Sequence, residues 1–275
     1  MNISVIPNLD RDRDLKITGE IISRLKKLGA KVFVQGRGIS DDCEILTGVE
    51  LYRKSDVIIA VGGDGTILHN AKLAAEYDRP VLGVNAGHLG YTAGLEKDEL
   101  DKLELLFKGD YTVSTRMMLE VSVQDEDTHT FYCLNDAVIS KGSLSRIINI
   151  SVELEGQIID YRADGVIFAT PTGSTAYSVS AGGPVVDPSV NGILLTPICP
   201  HSLISRSVFI SENSVIKAGA CGADGTGIYL TLDGETEYPL TPDSRVVISK
   251  AERRARLIQI KKDSFYSVLN NKLMK

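Results

Sequence analysis

Val57-Ile58-Ile59-Ala60-Val61-Gly62-Gly63-Asp64-Gly65-Thr66 is an apolar run that turns through glycines, and the amphipathic stretch 67–77 follows at once. The β-branched run predicts a buried strand and the stretch after it a helix, so the segment reads as strand, tight turn, helix. A helix that starts behind such a turn presents unpaired backbone N–H groups at its positive end, which suits a phosphate. Asp64 adds a carboxylate beside that anion. The placement makes chemical sense if the carboxylate binds a metal carried by the phosphates, or takes the proton of an attacking hydroxyl in phosphoryl transfer.

On either side of this junction the pattern alternates. Residues 2–7 read as a buried strand, 15–28 as an amphipathic helix stopped by Gly29, 30–35 as a second strand and 45–54 as a weaker helix. Residues 56–61 are the strand that feeds the turn, and 80–85 a further strand. Alternating strands and helices imply βαβ units and a parallel sheet. Ligands of such sheets sit at the carboxyl ends of strands, where 62–66 and the second turn Asn85-Ala86-Gly87-His88-Leu89-Gly90 both fall. Beyond a charged helix at 96–108 the sequence changes to short strands separated by turn residues. These are expected at 118–123, 131–140, 149–154, 157–161, 165–170, 208–210, 227–232, 245–250 and 255–260. Two domains follow, an α/β domain over 1–110 and a β-rich domain over 111–261, with a final turn of helix at 265–269.

A chain of 275 residues is long enough for two cores, and 43% hydrophobic with 24% charged residues describes a globular protein. No apolar run approaches the roughly 18 residues of a membrane span, and Met1-Asn2-Ile3-Ser4 reads as strand instead of a basic leader, so a cytoplasmic location without membrane attachment is expected. The net charge of −6 and pI near 5.3 argue against nucleic acid or anionic lipid as partners. A nucleotide would be held by backbone dipoles, single arginines and a metal. Cys43, Cys133, Cys199 and Cys221 have no CxxC spacing, so reduced thiols are expected in place of a zinc or redox site. The basic stretch 250–256 reads as a solvated strand end.

The stretch 164–184 opens from a short apolar strand into small residues, Thr170-Pro171-Thr172-Gly173-Ser174-Thr175-Ala176-Tyr177-Ser178-Val179-Ser180 among them. Their hydroxyls and backbone N–H groups permit close approach of a nucleotide, and the ring of Tyr177 suits a base. The same composition also fits a tight turn that caps a helix. Asn135-Asp136 pairs an amide that can both donate to and accept from an adenine edge with a carboxylate that can accept from ribose hydroxyls; it is equally a common turn dipeptide. Arg162 and Asp164 share a face if their strand continues, as a surface ion pair or as a clamp on phosphate and amide. His69 falls in the second turn of the helix after Asp64, and His201 in a proline-rich turn. GxxxxGK[ST], GxGxxG after a strand, GxSxG, HExxH and the HRD/DFG pair are all absent.

Gly62 to Thr66, then Asn135-Asp136, then 164–184, with 197–203 similar to a PxxPH segment, resemble the NAD kinases in order and spacing over nearly the whole chain. The first motif alone is shared with phosphofructokinases and with diacylglycerol and sphingosine kinases. The resemblance implies a Rossmann-like α/β domain, a β-rich domain that binds NAD, and a last helix, 262–275, returning to the first domain. It implies a homo-oligomer, dimer or tetramer, with the NAD site near the subunit interface. The reaction implied is phosphoryl transfer from ATP, or from polyphosphate, to the 2′-hydroxyl of the adenosine ribose of NAD, with a divalent ion, Mg²⁺, on the donor. Asp64 would accept the proton and Gly65 let the backbone approach. Asn135 would hold adenine, Asp136 the ribose, and Asp164 the nicotinamide amide. His69, Arg146 and Arg162 would contact the dinucleotide or its phosphates, and Thr175, Ala176, Tyr177, Ser178, Val179 and Ser180 would line the adenosine pocket. Two departures stand out: Asp136 where glutamate is common, and Glu235 where many members have glutamine. A lipid kinase of the same superfamily, or a sensor that binds NAD or NADP without transfer, are the rival readings.

Overall fold

A computed structural model describes residues 1–36, 38–87, 92–143, 146–201, 206–223, 227–260 and 265–273, the last three by backbone alone. The chain divides into two compact units, one formed by Met1–Thr115 with Arg253–Lys275, the other by Arg116–Glu252.

The first unit is built on an eight-stranded sheet. Its order is Glu44–Ile45, Lys31–Val34, Asn2–Pro7, Val57–Gly62, Pro80–Asn85, Ala255–Gln259 and Thr112–Arg116, with Leu95–Glu96 also on Pro80–Asn85. Val57–Gly62 lies in the middle, parallel to both neighbours, with Ile59 opposite Val5 on one side and Leu82 on the other. All of its residues are buried, which is why it is apolar on both faces instead of alternating. Val57, Ile59 and Val61 pack with Ile21 and Leu25 of the helix Lys16–Lys27 and with Leu103 and Leu106 of the helix Leu103–Lys108. From Asn2–Pro7 the chain moves outward to Lys31–Val34, then returns to place Val57–Gly62 on the other side. That reversal is a topological switch point, where open α/β sheets bind ligands.

Several elements differ from the sequence reading for local reasons. The helix expected at 45–54 is a two-residue strand and the single turn Glu50–Arg53, because Gly48 takes a positive φ of 55° between them. The helix expected from residue 67 begins at Asp64, so the glycine turn is its first turn. The helix expected at 96–108 is a 3₁₀ turn, Leu100–Lys102, followed by Leu103–Lys108. Ala255–Gln259, read as part of the β-rich half, pairs in parallel with Pro80–Asn85. The final helix runs Phe265–Leu273.

The second unit is two six-stranded sheets with antiparallel pairing throughout. One runs Val208–Ser211, Gly192–Ile198, Gly165–Ala169, Asp136–Lys141, Ile228–Leu232, Thr236–Leu240; the other runs Gln157–Ala163, Ile148–Leu154, Ile216–Cys221, Arg245–Lys250, Leu119–Gln124, Thr128–Cys133. Alternate residues such as Val121, Val123, Ile150, Val152, Ile139 and Phe168 form a single core. The strand expected over 131–140 is two strands, Thr128–Cys133 and Asp136–Lys141, in different sheets. The chain changes sheet again at Asp164, between Gln157–Ala163 and Gly165–Ala169. Both changes of sheet fall on residues singled out for their chemistry. Gly192–Ile198 was hidden by Pro197, which weighs against a strand; here it stands opposite Val166 near the strand end.

Candidate functional site

In the first unit the glycine turn sits at the switch point. Gly63 caps the helix in an extended conformation and Asp64 is its first residue. A side chain on Gly62 would put its Cβ 2.6 Å from Thr66 Oγ1, so only glycine lets the helix fold back this tightly. From the end of the neighbouring strand, the Asn8 backbone N–H donates to Val61 O and its side-chain amide to Thr66 Oγ1, each at 2.8 Å. The first N–H groups of the helix therefore point out at the carboxyl ends of the central strands. Asn70, one turn on, donates to Thr66 O at 2.8 Å and accepts the Tyr52 hydroxyl at 2.8 Å. Burial pushes that hydroxyl up to about 12, so it remains a donor.

The half-buried Asp64 carboxylate is not loose. Thr92, 4% exposed, donates both its backbone N–H, at 3.1 Å, and its hydroxyl to Asp64 Oδ1. Two donors on one oxygen fix the carboxylate plane relative to the helix end. Gly65 and His69 are exposed on the same helix. In the second turn, Asn85 donates to Glu96 at 2.8 Å and accepts the Gly87 N–H at 3.0 Å; His88, Leu89 and Gly90 lie outside the described residues.

In the second unit Asn135, Asp136, Ala176 and Tyr177 converge on one cavity of about 360 Å³, together with Ser140 and Asp233. Asn135 Oδ1 is buried with no hydrogen-bond partner among the described residues. An orphaned acceptor costs about 1–3 kcal/mol, and this one lies on the wall of the cavity, where a donor from outside the chain would satisfy it. The Nε atoms of Arg79 and Arg116 are the other buried side-chain atoms without a partner among those residues, and neither lines this cavity. Asp136 is 5% exposed. Burial first, and the neighbouring Asp233 second, push its carboxyl up to about 7. Tyr177 is 46% exposed, which leaves a ring face for a base.

The backbone at Asn135 is held from two directions. Asp233, at a positive φ of 52°, accepts the N–H groups of Leu134, Asn135 and Asp136 on its carboxylate. From the small-residue loop, Thr170 N–H donates to Asn135 O at 2.8 Å and its hydroxyl to Leu134 O at 2.6 Å. Gly173 packs against the Asn135 carbonyl so closely that any Cβ would collide with it.

The loop hydroxyls are more internal than the sequence suggested. Ser174 bonds Pro171 O and the Val186 N–H, and Ser178 is buried against Thr196 at 2.9 Å. Thr175 Oγ1 lies 3.4 Å from Thr172 O, while Val179 and Ser180 are exposed. Of 175–180, only Ala176 and Tyr177 line the described cavity. The pairing of Arg162 with Asp164 needed a continuous strand, and the strand ends at Ala163. Asp164 pairs with Lys141 at 3.0 Å instead. Both partners are partly exposed and such a bridge is worth about 0–1 kcal/mol, so a ligand can displace it. Arg162 is exposed and its carbonyl accepts the His201 N–H at 2.8 Å; Arg146 and Glu235 are exposed too. Two contributors escaped the sequence reading. Thr92 carries no motif, and Asp233 was passed over inside Asp233-Gly234, a hairpin dipeptide, which signals a turn but not what its carboxylate holds.

Comparison with known proteins adds the family. Residues 5–111 match the ATP-NAD kinase N-terminal domain and residues 134–260 the ATP-NAD kinase C-terminal domain. The NAD kinase of Caldanaerobacter subterraneus subsp. tengcongensis is 40% identical over 278 residues, spanning 98% of each chain. The NAD kinase of Clostridium botulinum (strain Loch Maree / Type A3) is 38% identical over 279 residues, spanning 99% of this chain and 96% of its own. Among solved structures, an NAD kinase from Archaeoglobus fulgidus in complex with ATP matches with a TM-score of 0.78 at 25% identity, over 100% of this chain and 99% of that one. Yeast NADH kinase complexed with NADH shares the fold, with a TM-score of 0.86 at 24% identity over 100% of this chain and 87% of that one. Matched in both domains and over 98% of its length, the chain belongs to the ATP-NAD kinase family.

Proposed function

We infer that the chain transfers the γ-phosphoryl group of ATP to the 2′-hydroxyl of the adenosine ribose of NAD, giving NADP and ADP, the activity its family membership supports. The observation that carries the chemistry is Asp64, a carboxylate at the first position of a helix at the switch point, fixed through one oxygen by Thr92. Asp64 is the proton acceptor for the ribose hydroxyl in this reading, a contribution of about 10²- to 10⁴-fold. The remaining acceleration comes from alignment and from neutralising the transferred group's charge. The glycine turn itself supplies backbone dipoles and no cationic side chain. Among the described residues no cluster of His, Cys, Asp or Glu could hold a metal by itself, so a divalent ion, Mg²⁺ in this reading, would be carried by the triphosphate and would supply the positive charge that the turn lacks.

The orphaned Asn135 Oδ1 supports a role in holding the adenine amine, and Asp136 beside it a role on the ribose hydroxyls. The exposed ring of Tyr177 stacks on the base, and Asp164 exchanges Lys141 for the nicotinamide amide. His69, Arg146 and Arg162, all exposed, meet phosphates of the dinucleotide, and the backbone of 175–180 borders the adenosine. Exposed Ile158, Ile159, Val208 and Phe209 on strands of the second unit support association into a homo-oligomer, dimer or tetramer, with the NAD site near the subunit interface. We also infer a cytoplasmic location; among the described residues no helix is long and apolar enough to cross a membrane.

The test is direct: purified protein with ATP, Mg²⁺ and NAD, followed by an NADP-specific dehydrogenase. NADP formation that stops when the ion is chelated is expected. No NADP, with phosphorylation of a lipid or with dinucleotide binding alone, overturns the reading.

A further inference from the structure

The segment that reads the base in the proposed site belongs to neither sheet ladder. Thr128–Cys133 ends in one sheet and Asp136–Lys141 begins in the other, so the backbone of Leu134 and Asn135 has to find partners elsewhere. On the N–H side that partner is one carboxylate. Asp233 Oδ1 accepts from Asn135 at 2.7 Å, Leu134 at 3.1 Å and Asp136 at 3.2 Å, while Oδ2 accepts from Leu134 at 3.0 Å. Its own N–H donates back to Asp136 O at 2.9 Å. On the carbonyl side Thr170 closes the other face.

An amide whose oxygen is buried and unpaired has every reason to rotate or withdraw until it meets a donor. The backbone beneath it cannot withdraw, because charge-assisted bonds from consecutive N–H groups fix its position and so hold the side chain at the cavity. We propose that Asp233 is a positioning residue for base recognition: by clamping the backbone of 134–136 it keeps the Asn135 side-chain oxygen waiting in the cavity for a base that offers an exocyclic amine. The residue touches the chain's own backbone, and it acts on the base through Asn135. The inference rests on the functional reading above and adds to it the source of adenine selectivity.

The clamp makes a measurable demand. A dinucleotide carrying hypoxanthine in place of adenine presents an oxygen where NAD presents an amine, so a fixed Asn135 oxygen repels it. The ratio of kcat/KM for NAD over the hypoxanthine analogue should be at least about tenfold in the intact enzyme, as for a site built around one hydrogen bond. Asp233→Gly removes the carboxylate at a φ that glycine adopts without strain. It should raise the KM for NAD about tenfold, leave kcat within about threefold, and bring the ratio toward one. Asp233→Asn, also tolerant of this φ, keeps one acceptor oxygen without the charge and should fall between the two. Thermal unfolding of each variant accompanies the kinetics. Should Asp233→Gly not fold, the intermediate ratio in Asp233→Asn carries the test. An unchanged ratio in a folded variant overturns the inference, as does loss of kcat with KM and ratio unaltered. If the intact enzyme forms no NADP at all, the functional reading itself fails; a normal rate with variants as selective as the parent removes only the clamp.

Discussion

The two units bring different materials to the proposed reaction. The parallel sheet offers a helix end, a glycine turn and one fixed carboxylate, all from a segment that is continuous in sequence. The antiparallel unit offers an amide, two carboxylates and a ring gathered from three separate segments, each held by contacts far along the chain. A parallel sheet creates a site by topology alone, since its central strands all end on one edge. An antiparallel sandwich has no such edge, and its site arises where the chain leaves one sheet for the other. The first arrangement suits chemistry on a phosphate, the second recognition of a particular dinucleotide.

If this division holds, changes in the first unit act on kcat and changes in the second on KM. The largest effect is expected for Asp64→Asn, which should lower kcat by about 10²-fold or more while NAD binding, followed by calorimetry, persists. Near-parental turnover would remove Asp64 as the base. Next, Asn135→Ala should raise the KM for NAD by about 10- to 100-fold with kcat nearly kept, the size of one buried hydrogen bond to a base. A fall in kcat alone would place Asn135 on the chemical side of the comparison. Thr92→Val keeps the shape but removes the hydroxyl donor to Asp64, and should cost about tenfold in kcat while Thr92→Ser restores most of it.

A smaller effect concerns pH and Asp136. Burial, then Asp233, hold its carboxyl at about 7 in the folded protein, above the unfolded value. Between roughly pH 4 and 7 the folded state keeps a proton that the unfolded chain has released, so this group makes the empty protein less stable as pH rises through that window. Ribose hydroxyls donate to the ionised form, so the KM for NAD should fall several-fold from about pH 6 to about pH 8. Asp136→Asn should flatten both trends, in thermal unfolding and in kinetics; an unchanged slope would assign them to another group. The smallest effect is Lys141→Met, which breaks a partly exposed bridge to Asp164 and should change stability by less than about 1 kcal/mol.

Much of the first unit was legible because its signals are local. A fully buried strand shows itself by an unbroken apolar run and the phosphate turn by its glycines, and both survive with the helix start moved back to Asp64. Where reading failed, a local signal was overruled. Pro197 concealed a strand, and the strand expected across 131–140 is divided where the chain leaves one sheet for the other, its freed N–H groups met by the carboxylate of residue 233. The motifs of the second unit could be seen as chemistry, yet not as geometry. Ser178 looks like any other hydroxyl offered to a ligand, and only packing shows it turned inward onto Thr196.

By itself the sequence determined the two fold classes, the glycine turn with its carboxylate, the amide and carboxylate pair, and through their order the family. These depend on residues that are neighbours in the chain, where periodicity and turn chemistry act directly. The tertiary structure alone decided how those groups are held. Thr92 reaches Asp64 across 28 residues and Asp233 reaches Leu134 across 99, contacts that exist only because the sheets bring distant segments within hydrogen-bonding range.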